Sequence, residues 1–121
     1  MEWPELENLK ARMRDFATRR DWEQFHAPKN LVMALAGEMG ELMEHFQWLS
    51  ESQSDNLDSR TLEKVALEIA DIQIYLARLS DRLGVSIGDA VERKVLENER
   101  KYPAEQVFGS SRKYTEYPTP E

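Results

Sequence analysis

The chain has 121 residues, a length that suits a single domain over residues 1–121. Apolar residues make up 40% of it and charged residues 32%, a balance typical of a folded chain rather than a disordered one. The net charge of −7 would repel the backbone of DNA or RNA over most of the surface, which argues against a nucleic-acid polymer as partner. A small polyanion stays compatible with this charge if a metal ion neutralises the repulsion locally.

The absence of cysteine excludes a disulfide scaffold, a thiolate metal site and a thiol nucleophile. The first ten residues lack the basic and then apolar run of a secretory signal. The longest stretch without a charged side chain, residues 30–37, is too short to span a bilayer. Together these features predict a cytoplasmic protein that does not bind membranes.

The first half of the chain predicts two helices separated by an unusual loop. Pro4 is well placed to start a helix, and apolar residues recur at helical spacing until Arg20. Residues 21–27 break this period and contain two aromatic side chains and a histidine. An apolar stretch from Pro28 to Leu49 then predicts a second helix that is apolar on most of its circumference.

Residues 62–83 carry the clearest helical period in the sequence. Leu, Ile and Val recur there in steps of three and four, which predicts a third helix that Gly84 ends. The polar residues 50–59 before it predict a connecting loop, with Asp58 or Ser59 as the cap of the helix. Such an apolar stripe needs a partner helix.

Ser86 with Asp89 resembles a capping box and predicts a fourth helix that runs to about Tyr102. Residues 103–121 have no period and predict an extended tail. Helices over residues 4–102 without a competing strand pattern predict an all-α fold of the four-helix-bundle type. Because the apolar surface of the second and third helices exceeds what one small bundle can cover, we also expect a homo-oligomer.

Two pairs of acidic residues fall on the second and third helices, Glu38 with Glu41 and Glu68 with Asp71. At a spacing of three, both side chains of a pair project from one helix face. Two facing pairs would offer several carboxylate oxygens to Mg²⁺, which prefers oxygen ligands.

Acidic residues three positions apart occur six times in the chain, so spacing alone is weak evidence. Glu38 and Glu41, however, interrupt an apolar run, where a carboxylate is expensive unless it is paired or binds metal. Gly37 and Gly40 beside them each destabilise a helix by roughly 1 kcal/mol relative to Ala, which predicts close approach by another helix or a ligand. From the residues alone, a metal site and purely structural carboxylates both stay open.

A set of sequence strings resembles the MazG-like superfamily of all-α nucleoside triphosphate pyrophosphatases, in its dCTP pyrophosphatase branch. The resemblance runs from about residue 15 to residue 116. The strings are DWEQFH at 21–26 followed by Pro28 and Asn30, GEMGEL at 37–42, FQW at 46–48, the Glu68-x-x-Asp71 pair, Tyr75, RKYP at 100–103 and SSRKYTE at 110–116.

This resemblance implies a reaction and its metal ligands. Water attacks the α-phosphorus of dCTP or a modified dCTP, releasing dCMP and pyrophosphate, in nucleotide-pool housekeeping. The implied Mg²⁺ ligands are Glu38, Glu41, Glu68 and Asp71. One of the four, with Glu41 as our candidate, would take the proton of the attacking water instead of binding the metal directly.

The resemblance also implies a set of substrate contacts. Trp22 and Trp48 would form flat walls for the base, with packing in the core as the alternative for Trp48 and Phe25. The predicted substrate-binding residues are Trp22, Glu23, Gln24, Phe25, His26, Trp48, Tyr75, Lys94, Asn98 and Lys101. The resemblance weakens at Met13, which is expected to border the base pocket and offers no strong hydrogen bond. The tail residues Arg112, Lys113 and Tyr114 would pack across a neighbouring subunit of a homotetramer.

Three other interpretations compete with this one. A di-iron carboxylate bundle needs two Glu-x-x-His motifs on facing helices, and the chain has only Glu23 with His26, in a loop. A broader or dUTP-directed deoxynucleotide pyrophosphohydrolase is the rival among enzymes. A helical oligomerisation protein whose acids are solvated or capping groups is the alternative without catalysis.

Overall fold

The computed structural model describes residues 3–113 and residue 115; Tyr114 and Glu116 of the SSRKYTE string lie outside the described residues. Its helices are α1 (Pro4–Arg19), α2 (Pro28–Glu44), α3 (Glu51–Ser54), α4 (Ser59–Leu83), α5 (Ile87–Lys101) and α6 (Ala104–Val107), with a 3₁₀ turn at Glu23–Phe25. The described residues contain no strand, which confirms the all-α class.

The residues at the helix ends explain most of these bounds. Helices α1 and α2 each begin at a proline, whose fixed φ suits the first helical turn. The Asp58 carboxylate accepts a hydrogen bond from the N–H of Thr61 at the start of α4. Gly84 ends α4 with a left-handed φ of 69°, which a residue without Cβ adopts freely.

Three predicted elements differ from the structure. Helix α2 ends at Glu44, not Leu49, and the predicted loop after it contains the short helix α3. A capping box explains α3, because the Ser50 hydroxyl accepts from the Gln53 N–H and the Gln53 amide oxygen accepts from the Ser50 N–H. The tail is not extended from its start, because Pro103 precedes the single helical turn of α6.

Helix α4 is the centre of the fold, with α2 and α1 packed against it and only sparse contacts to α5. Few apolar side chains are buried in the described residues, and they are Ala17, Leu31, Val65 and Ala77. Large apolar side chains stay exposed on four helices, among them Phe16 on α1, Val32, Met33, Met39 and Met43 on α2, Leu62, Leu67, Ile69 and Leu76 on α4, and Val95 and Leu96 on α5. The predicted apolar stripes are therefore present but largely exposed to solvent within one chain.

Within residues 3–113, no helix has the length and apolar character needed to cross a bilayer.

Candidate active site

Three carboxylates converge where α2 packs against α4. Glu38, Glu41 and Glu68 each place one carboxylate oxygen within 4.8 Å of the others, and we name these residues the acidic cluster. The i, i+3 spacing puts Glu38 and Glu41 on the α2 face that meets α4, so the local helix and the packing together bring the three oxygens to one point. The predicted convergence of the two helical pairs is therefore observed for three of the four acids.

The environment of the acidic cluster favours binding of a cation. One oxygen of Glu38 and one of Glu68 are buried and have no hydrogen-bond partner. Burial, with the negative charges of Glu41 and Asp71, raises the pKa of Glu38 to about 7. Burial also raises the pKa of Glu68. Buried carboxylate oxygens without donors fit a hard divalent cation, whose binding would satisfy them and remove their repulsion.

Asp71 stands at the edge of the acidic cluster. Its charge acts on Glu38 and Glu68, yet its oxygens are outside the group that lies within 4.8 Å. Asp71 lines a neighbouring cavity instead. The fourth predicted ligand therefore joins the acidic cluster to the cavity.

The cavity has a volume of about 160 Å³ and lies between α1, the loop after it, α2 and α4. Its apolar walls include Met13, Phe16, Trp22 and Ile74. Its polar groups come from Asp71, Tyr75, His26 and Arg78. Mostly apolar walls with a few polar groups are typical of a site for a small molecule.

Aromatic contacts fix the wall that the loop contributes. The Trp22 ring meets Phe16 edge to face with centroids 5.7 Å apart, and meets His26 at 6.3 Å. Asp21, with a φ of 55°, turns the chain sharply after α1, and the Trp22 N–H donates to the Ala17 carbonyl oxygen. The loop is thus tied back to the helix it follows.

The other predicted loop residues do not line this cavity. The Glu23 carboxylate accepts hydrogen bonds from Arg78 and Arg82, and the Gln24 amide donates to Asp21. Phe25 is exposed, so core packing is wrong for it. The substrate roles of these three residues stay predictions.

Four predicted substrate residues lie away from the cavity in this chain. Trp48 is 86% exposed, so core packing is wrong for it too. On α5, Lys101 and Lys94 lie 2.7 and 3.8 Å from Glu97 and hold the pKa of that carboxyl below its usual value. Neither lysine nor Asn98 lines the cavity. The expectation that a helix approaches Gly37 and Gly40 is also wrong for this chain's own helices, because a Cβ at either position would meet nothing within 4 Å.

Sequence reasoning missed four residues that line the cavity, Phe16, Leu31, Ile74 and Arg78. Phe16 lies within the apolar period that predicts the first helix, and Leu31 lies within the apolar stretch that predicts the second. Arg78 lies three positions after Tyr75 and seven after Asp71, so its helical spacing already put it on their face. That spacing was the available signal.

Comparison with known proteins agrees with this geometry. The sequence pattern of the MazG-like family matches residues 34–117, which contain both carboxylate pairs. The chain belongs to the MazG-like family. This MazG-like chain is 45% identical over 117 residues to dCTP pyrophosphatase 1 of Homo sapiens, covering 95% of the chain and 69% of that protein. It is 43% identical to dCTP pyrophosphatase 1 of Rattus norvegicus with the same coverage.

A solved structure has the same fold. The crystal structure of a pyrophosphatase from Archaeoglobus fulgidus matches this MazG-like chain with a TM-score of 0.71 and 40% sequence identity. The match covers 82% of this chain and 93% of that one. The resemblance predicted from the sequence strings is confirmed.

Proposed function

We propose that this MazG-like protein is a pyrophosphohydrolase that converts dCTP, and dCTP modified on the base, to dCMP and pyrophosphate. The observation that carries the proposal is the acidic cluster next to a cavity of mostly apolar walls. A triphosphate and a base need these two environments side by side. The two mammalian relatives named dCTP pyrophosphatase 1 support dCTP as the substrate.

Mg²⁺ is the cofactor that fits the acidic cluster. Glu38 and Glu68 would hold it, with Glu41 and Asp71 beside them, because carboxylate oxygens are hard ligands and one oxygen of Glu38 and one of Glu68 lack any donor. When bound, Mg²⁺ neutralises triphosphate oxygens and makes an attacking water easier to deprotonate.

The chain's own residues bind and orient the substrate. Trp22 and Phe16 hold the base by its flat face, and the Tyr75 hydroxyl, one turn beyond Asp71, contacts the sugar. Held this way, the α-phosphorus stays near the acidic cluster, which lowers the entropic cost of reaction. Glu41 is the exposed member of the cluster, so it has access to water and takes the proton from the attacking molecule.

Self-association is part of the proposal. Large apolar side chains stay exposed on α2, α4 and α5, and a second copy of the same chain is the partner that we propose covers them. A homotetramer, as the family resemblance implies, would also bring Trp48, Lys94, Asn98 and Lys101 toward a neighbouring cavity. Sedimentation equilibrium tests the number of copies. A cytoplasmic location remains a prediction from the sequence, which cell fractionation would test.

The decisive experiment measures pyrophosphate release from dCTP with Mg²⁺. We expect release by the wild-type protein, loss in Glu38→Gln, and little change in Glu44→Gln, an exposed acid on the same helix outside the acidic cluster. No release above the Glu38→Gln level, with dUTP, dTTP and dATP also inert, would leave the helical oligomerisation protein as the better interpretation. Comparing kcat/KM across the same nucleotides separates a dCTP enzyme from a broader or dUTP-directed one.

A further inference from the structure

A buried arginine stands at the end of the cavity away from the acidic cluster. Arg78 is 3% exposed and donates three hydrogen bonds. Its Nε donates to His26 Nδ1 at 3.1 Å, its Nη2 to Glu23 Oε1 at 2.6 Å, and its Nη1 to Asp81 Oδ2 at 3.2 Å. A buried guanidinium is tolerated when it is paired in this way.

The hydrogen bond to His26 fixes the chemical form of its ring. A guanidinium has donors only, so Nδ1 must accept with its lone pair and cannot carry a proton. The neutral imidazole then has its proton on Nε2. Burial lowers the pKa of His26, as do the charges of Arg78 and, more weakly, Arg82, against the opposing charge of Glu23. Both effects favour the neutral ring.

Neighbouring charges prevent Arg78 from turning away. Glu23 is held from its second oxygen by Arg82 at 3.0 Å, and Asp81 accepts from the Arg14 Nε at 2.9 Å. The guanidinium is therefore clamped between two carboxylates that are themselves anchored. Its Nε–H keeps one direction, toward His26.

The other nitrogen of His26 is free to meet a ligand. The imidazole lines the cavity, and no residue in the described part of the chain accepts a hydrogen bond from Nε2. We propose that Arg78 is a positioning residue that holds His26 as the Nε2–H tautomer, so that the cavity presents a fixed N–H donor to an acceptor atom on the edge of a pyrimidine base. This inference rests on the proposed function only in taking a base as the ligand.

A spectroscopic test reads the tautomer without any substrate. The chain has two histidines, so His45→Gln leaves His26 as the single imidazole. In this background, ¹⁵N NMR at neutral pH should show Nδ1 unprotonated and Nε2 protonated. Adding Arg78→Met, which has no donor, should change the tautomer mixture, and Arg78→Lys should restore part of it. A proton on Nδ1 in the background protein would overturn the proposal even if Arg78→Met does not fold.

A kinetic test separates positioning from loop stability. Arg82→Met is the matched control, because Arg82 holds the same Glu23 from the same helix without contacting His26. We expect Arg78→Met to raise the KM for dCTP about fivefold to tenfold with kcat nearly unchanged, since the lost hydrogen bond lies far from the reacting phosphorus. Arg82→Met should leave KM within about twofold. Equal KM effects of the two variants would overturn the proposal and assign Arg78 to loop stability.

A failed proposed function would look different. If dCTP were not a substrate, the kinetic test would show no turnover by any variant, whereas the tautomer of His26 would still be read by NMR. A fixed Nε2–H without turnover would therefore count against the proposed function and leave the role of Arg78 standing.

Discussion

Helix α4 carries two charged regions that differ in whether their charges have partners of opposite sign. Around Glu68, carboxylates from two helices crowd together and two of their oxygens have no donor. Around Arg78, ten residues further on, every charge has an opposite charge beside it. The unpaired carboxylates of the acidic cluster indicate a site that binds a ligand. The paired charges around Arg78 instead indicate a region that fixes the position of neighbouring side chains.

The largest expected effect comes from the acidic cluster. Glu38→Gln removes one ligand of the proposed Mg²⁺ site and should lower kcat/KM for dCTP at least about a hundredfold, since several kcal/mol of charge stabilisation are lost. Steady-state pyrophosphate release measures this. Glu44→Gln should stay within about twofold, and a similar loss in both variants would contradict the assignment.

Arg78→Met removes the ion pairs of Arg78 with Glu23 and Asp81 and should destabilise the fold. The change leaves Glu23 and Asp81 without their shared partner, so we expect a loss of about 1 to 3 kcal/mol in the free energy of unfolding, less than for fully buried ions because both carboxylates are partly exposed. Urea denaturation measures it. Arg82→Met removes a more exposed pair and should cost less than about 1 kcal/mol.

The acidic cluster should also make the stability of the fold depend on pH. The folded-state pKa of Glu38, about 7, exceeds its ordinary value, so its favourable contribution is present at low pH and lost as pH rises toward and through 7. Without metal, the melting temperature of wild-type protein relative to Glu38→Gln should therefore fall between pH 5 and pH 8. Mg²⁺ binds the deprotonated form, so its stabilising effect should grow over the same range. Thermal melts with and without Mg²⁺ measure both trends, and a Mg²⁺ effect independent of pH would contradict them.

The smallest expected effect concerns the cavity wall between the two regions. Trp22→Leu keeps an apolar side chain but removes the ring contact with the base, so the KM for dCTP should rise about threefold to tenfold. Met33→Leu, exposed on α2 and outside the cavity, is the control. An unchanged KM in Trp22→Leu would remove Trp22 from the base site.

Local sequence signals predicted most of the fold. Of the two charged regions of α4, they predicted the acidic cluster. The caps at Asp58, Gly84 and Ser86 lie where the sequence predicted them, since caps depend on neighbours in the chain. The acidic pairs were visible for the same reason, because i, i+3 spacing is a local property. Helix α3 was missed although Ser50 and Gln53 have the capping-box spacing, because the polar composition of the segment was weighed above that pattern.

The ion pairs around Arg78 could not be predicted from local sequence patterns. Arg78 meets His26 and Glu23 across more than fifty positions of sequence, and only the docking of the loop on α4 brings them together. The prediction that a helix approaches Gly37 and Gly40 was wrong within this chain, because a Cβ at either position would meet nothing within 4 Å. Contacts made across the fold leave no fixed sequence spacing to recognise.

Helix α4 is continuous from Ser59 to Leu83, and this continuity sets a fixed length between its two charged regions. At 1.5 Å of rise per residue, Glu68 and Arg78 are separated by about 15 Å along the helix axis. Glu68 and Arg78 therefore keep a fixed distance on one rigid helix, and the loop at residues 21–27, which carries Trp22 and His26, keeps that distance from the acidic cluster while His26 stays hydrogen-bonded to Arg78. A molecule that is too short can occupy either end but not both.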